Sequence, residues 1–257
     1  MMSSIEQHFR SRSATALMAL ENRLDRILIW WLLLAGCACA ARVALSPHPQ
    51  GAAGIPTFLT YMLVVVAPFA STLLALRWFR DGHLQPQPVT RLARVAAWRT
   101  VGRGEAMRHP LYGTSGIMVS LIVGMMLNVP VRTAEYLASM PPLVGAAPKW
   151  LATLHFLMTF DVVAFGSLYM IAFVAALRKV PLFPRLLAAI WAGDLAMQVV
   201  TAKLVVAAGP MPHAVSDALA TMLEGNVKKV LISVGMWLPY LLLSKRVNVT
   251  YRHRVPA

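Results

Sequence analysis

The chain has 257 residues, 58% of them hydrophobic and 13% charged, with a mean hydropathy of +0.62. A soluble domain of this length carries about 25% charged residues, and long apolar runs of Leu, Ala, Val and Met exclude that class. The net charge of +14 would point to nucleic acid in a soluble protein, but its placement along the chain assigns it to membrane topology instead.

In chain order, residues 1–26 place Ile5, Phe9, Leu17, Leu20 and Leu24 at helical spacing between charges. They predict an amphipathic cytoplasmic N-terminal helix on the inner leaflet. Charges run through this stretch up to Arg26, so the apolar run that follows reads as a retained helix and not as a cleaved signal. Six apolar runs of the kind that cross about 30 Å of hydrocarbon follow at 27–45, 55–76, 113–131, 151–177, 186–207 and 230–243. The last is short, and snorkelling of Lys228 and Lys229 would let it begin nearer Asn226. Cys37 and Cys39 lie in the first run, about 200° apart around a helix, a geometry that neither a disulfide nor a shared metal suits. Between the second and third runs, Leu92, Val95 and Ala96 alternate with Arg91, Arg94 and Arg99, predicting a second amphipathic helix over 90–101 and a surface for anionic lipid or a partner.

The expected fold is all-α: a polytopic membrane protein of six transmembrane helices with amphipathic cytoplasmic segments. Orientation follows from the basic residues. With the N-terminus inside, the cytoplasmic segments hold 18 Lys and Arg and the outer connections hold 4: Arg132, Lys149, Lys228 and Lys229. That bias places both termini inside and absorbs the net charge, so no nucleic-acid partner is expected.

The informative residues are polar groups inside the runs. Asp161 in the fourth and Asp194 in the fifth fall at nearly the same depth, where a carboxylate costs on the order of 3 kcal/mol on insertion scales. Asp194, Gln198 and Thr201 share one helix face, and His155 lies on the fourth run. Two readings follow: a shared proton or cation site, as in a coupled transporter, or separate polar contacts that cement helix packing. The chain lacks the G-x-S-x-G, H-E-x-x-H, P-loop and G-x-G-x-x-G motifs, its histidines are scattered, and no catalytic residue, metal or cofactor is expected. One string, Arg108-His109-Pro110-Leu111-Tyr112-Gly113, is similar to the R-H-P-x-Y-x-G signature of membrane lipid methyltransferases, with its glycine one residue early.

The close of the chain carries a further pattern. Trp237, Pro239 and Tyr240, then Ser244-Lys245-Arg246-Val247 and Thr250-Tyr251, resemble the closing signature of the DUF2569 family of bacterial inner-membrane proteins. The resemblance implies a four-helix membrane domain over 113–251 and a multi-pass protein of the bacterial inner membrane, with no implied chemistry. The remaining organisation is then a two-helix membrane extension (27–76), an Arg-rich cytoplasmic loop (77–112) and a cytoplasmic tail (252–257). In the motif itself, Pro239 removes a backbone hydrogen bond and can kink the last helix, while Ser244-Lys245-Arg246 would anchor to headgroups. The functional expectation is a non-enzymatic accessory or scaffold subunit, with other membrane subunits as partners. A small proton- or cation-coupled transporter using Asp161 and Asp194 is the alternative, and a lipid-modifying methyltransferase the third.

Overall fold

The computed structural model describes residues 4–46, 54–89, 97–143, 145 and 147–257. Its long helices are α1 (Ser4–Asn22), α2 (Leu24–Ala44), α3 (Ile55–Trp78), α5 (Met118–Ser139), α6 (Lys149–Leu177), α7 (Phe183–Ala207) and α8 (His213–Leu243). Shorter elements complete the order: a 3-10 turn (Gly82–Leu84), α4 (Arg103–Arg108), α9 (Lys245–Arg252) and the strands β1 (Trp98–Thr100) and β2 (Arg254–Pro256). Among the described residues five helices, α2, α3, α6, α7 and α8, are long and apolar enough to cross a membrane, so the protein is a multi-pass, essentially all-helical membrane protein. α5 matches them in length, with 22 residues, but Asn128, Arg132 and Glu135 dilute its second half.

α6 is the axis. Its apolar stretch is 67% buried, against 17% for α2 and 11% for α8, because α3, α5 and α7 all pack along it. Small residues set the closest approach: a methyl group on Gly166 would lie 3.4 Å from the Pro68 ring of α3. Pro68 itself leaves an α3 turn short of a backbone donor, and the hydroxyls of Thr72 and Ser71 donate to its carbonyl at 2.6 and 3.0 Å. α2 is tied to α3 by the Trp31 indole, which donates to Val65 O at 2.9 Å. One apolar core includes residues of α2, α3 and all the later long helices. α2 and α3 therefore share this core with the long helices that follow them.

Several sequence expectations change. The third helix runs to Ser139 and not to 131, so Arg132 lies inside a helix and not in an outer connection. The last helix begins at His213 and spans 31 residues, because Leu219, Leu223 and Val230 form a narrow buried stripe that average hydropathy does not register. Lys228 and Lys229 are then near its middle. Arg42, in the last turn of α2, donates to Met140 O at 3.3 Å.

At the end where α6 meets α7 and α8 meets α9, the chain builds a cap. The Ser244 hydroxyl accepts from Val247 N and starts α9, and Asn248 donates to the carbonyls of Leu242 and Ser244, satisfying groups freed where α8 stops. Tyr251 is buried against Phe183, with ring centroids 5.0 Å apart, and donates to Ala176 O at 2.9 Å. Residues 254–256 are no loose tail, since β2 pairs antiparallel with β1, Arg99 opposite Val255. Residues 98–100 are accordingly strand, where an amphipathic helix was expected. α1 also departs from a purely lipid-facing role: Leu17 and Leu20 pack on the protein core, and Gly116 N donates to the Ser13 hydroxyl at 2.8 Å.

Candidate functional site

The site grows from four helix faces. On α5, Asn128, Arg132, Glu135 and Ser139 follow i, i+4, i+7, i+11 and share one side. On α6, Asp161, Phe165 and Tyr169 share a side at i, i+4, i+8, and on α7 Asp194, Gln198 and Thr201 do so at i, i+4, i+7. On α8, Met222, Asn226, Lys229 and Ser233 repeat the spacing. The bundle turns these faces toward one another.

At the centre, Arg132 bridges the two aspartates. Its Nη1 donates to Asp161 Oδ2 at 2.6 Å and its Nη2 to Asp194 Oδ2 at 2.5 Å. The guanidinium carbon lies 5.3 Å from the Phe165 ring centroid and 5.9 Å from that of Tyr169, so aromatic faces contribute where water is scarce. Gln198 donates to the other oxygen of Asp194 at 3.3 Å, Tyr169 donates to Asp194 at 3.5 Å, and Asn226 donates to Gln198 at 3.4 Å. The chain of contacts ends at Lys229, which pairs with Glu135 at the exposed edge. Asp194 is fully buried. Asp161 is buried too, and its Oδ1 has no hydrogen-bond partner among the described residues.

A cavity of about 390 Å³ lies beside this cluster between α5, α6 and α8. Asn128, Arg132, Glu135, Asp161, Asn226 and Lys229 supply its polar wall, and Met158, Val162, Met222 and Val230 its apolar wall. A second space of about 110 Å³ shares Asn128, Tyr169 and Ser233 with it and continues to Trp191 and Trp237. The cleft exists because α8 packs along α7 and α9, which leaves α5 and α8 apart except at Glu135 and Lys229.

Of the residues singled out from sequence, Asp161, Asp194 and Gln198 meet here. Thr201 is buried farther along the same α7 face. His155 stands apart, with its ring 6.3 Å from Tyr136 and no hydrogen-bond partner for its buried Nε2 among the described residues. Arg91 and Arg94 lie outside the described residues, and Arg99 pairs at 2.8 Å with Glu105 on the surface. In the closing motif, Trp237 and Tyr240 meet edge to face with centroids 6.0 Å apart. Lys245 is exposed, while Arg246 donates to the Ser115 hydroxyl at 2.9 Å and so braces the α5 entrance. The methyltransferase-like string is taken up in the same cap. Gly113 has φ +108°, a conformation that favours glycine, and its amide donates to the Thr250 hydroxyl at 3.0 Å. The Tyr112 ring lies 5.2 Å from Lys179 Nζ. Buried Arg252 holds Leu241 O at 2.7 Å, and burial beside the charges of Arg254 and Arg185 pushes its pKa down to about 10.

Sequence reasoning missed Arg132 and Asn226. The usable signal was the polar stripe 128-132-135-139, obscured by ending the run at the first charge. No group of three or more His, Cys, Asp or Glu suited to a metal occurs among the described residues. No family model, curated protein or solved structure matches the chain.

Proposed function

We propose that this chain is a small proton-coupled carrier of the bacterial inner membrane, with six spans, both termini inside and Asp161 as its exchangeable proton site. One observation carries the reading: a single guanidinium faces two buried carboxylates on the wall of a cavity. Formally the cluster is one negative charge in excess. In a low-dielectric interior that excess is costly, and two carboxylates held together do not both ionise easily. A proton on Asp161, whose Oδ1 has no donor among the described residues, neutralises the cluster. Releasing that proton demands either a compensating cation or a rearrangement of Arg132, and that demand is the coupling.

The orientation rests on the basic residues, and the position of Arg132 within α5 supports it, leaving fewer charges to cross. The test is infrared difference spectroscopy on purified protein in lipid, read as the carboxylic-acid carbonyl band. The band is expected near neutral pH and lost in Asp161→Asn; Asp194→Asn, which leaves one guanidinium against one carboxylate and no excess charge, should lose it too. Its absence from the wild type ends this reading.

A second reading, a non-enzymatic accessory subunit, draws support from α8, which rests on α7 and leaves its other side open to a partner helix. A stable stoichiometric partner in mild detergent, retained by Asp161→Asn, would favour it.

A further inference from the structure

The cavity beside Arg132 is far larger than a proton needs. Its volume falls within the range of small-molecule sites, about 300–1,000 Å³, and its wall states what would fill it. Glu135 and Lys229 neutralise one another at the edge, and Arg132 is already engaged by both aspartates. The remaining formal charge is negative. Among the described residues lining the cavity, the buried polar atoms left without a partner are Asp161 Oδ1 and Asn128 Oδ1. Both are acceptors, so the unmet hydrogen-bonding capacity calls for a donor. The apolar part of the lining, Met158, Val162, Met222 and Val230, suits an apolar body.

We infer that the cavity binds a small organic cation, a primary ammonium group on an apolar body, with the ammonium donating to Asp161 and Asn128. The inference rests on the proton-carrier reading of this same site and extends it to a substrate class. One oxygen cannot hold a proton and accept from an ammonium at full charge. Binding therefore expels the Asp161 proton: one positive charge enters as one leaves, and charge balances. The cycle is an exchange of an organic cation for a proton.

The experiment is calorimetry of full-length protein in lipid nanodiscs with n-hexylammonium, n-hexanol and n-hexanoate as probes. Hexylammonium is expected to bind at least about tenfold more tightly than either control, a difference of about 1.4 kcal/mol. Titration in buffers of different ionisation enthalpy is expected to show about one proton released per molecule bound, as linkage requires. Asp161→Asn should weaken hexylammonium about tenfold, and Asn128→Leu should weaken it less. Equal binding of hexanol or hexanoate, no binding of hexylammonium, or binding without proton release overturns the inference. The wild-type measurements decide it even if a variant fails to fold. An infrared carboxylic-acid band at Asp161 together with no hexylammonium binding would reject the substrate class and leave the proton site standing. Hexylammonium binding with no such band would reject the proton site itself.

Discussion

Arg132 shows how a charge that appears misplaced in sequence becomes the organising residue of the interior. Alone at mid-bundle, a cation costs about 2.5–3.5 kcal/mol on insertion scales, and each aspartate costs a similar amount. Together they share hydrogen bonds, and the cost of removing one partner exceeds that of never having had the pair. Arg132→Gln is therefore expected to destabilise by about 3–5 kcal/mol, read as a drop in thermal stability in detergent. Adding Asp161→Asn to it should recover part of the loss, with a coupling of about 0.5–3 kcal/mol in a double-mutant cycle. Additive losses would show that the two side chains do not act as a unit. The exposed Glu135–Lys229 pair belongs to another class. Glu135→Gln should cost less than Arg132→Gln, since both side chains are only about half covered at the cavity edge.

Among the elements, α3 against α6 and α9 beneath the bundle make the sharpest claims. Gly166 allows α6 to lie against Pro68, and the apolar pattern of either helix alone says nothing about that approach. Gly166→Leu should force the helices apart at a cost of about 1–3 kcal/mol, seen as reduced thermal stability; no loss would mean the contact is loose. α9 was legible only as a motif. Ser244 and Thr250-Tyr251 of that motif, and Asn248 between them, each meet a backbone group: the α9 cap, Gly113, Ala176 and, for Asn248, the end of α8. Asn248→Ala should cost about 1–3 kcal/mol by removing the donor to Leu242 O and the acceptor for buried Arg252, with Lys245→Ala, at an exposed position, as the near-neutral comparison.

For the whole molecule, the proposed orientation predicts labelling. In a background with Cys37 and Cys39 replaced by alanine, Pro210→Cys between α7 and α8 should react with an impermeant maleimide in intact cells. Gly104→Cys in α4 should react only after permeabilisation. The reverse pattern would invert the topology.

Five of the six apolar runs correspond to α2, α3, α6, α7 and α8, and for the first four of these the expected ends fall within a few residues of the helices. Length and apolar composition are local properties, and a bilayer answers to them directly. The depth match of Asp161 and Asp194 was legible for the same reason, since rise per residue is constant along a helix. Their partner was not. A charge ends an apolar run in any running average, whereas a helix continues through it when another helix supplies the counter-charge. The same holds for the amphipathic first half of α8 and for residues 254–256, which pair with a strand far away in the chain. Sequence alone determined that this is a multi-pass helical membrane protein with acids at its core. Tertiary packing decided that Arg132 joins those acids and that α5 and α8 part to leave a cavity beside them, because both depend on which helix faces meet.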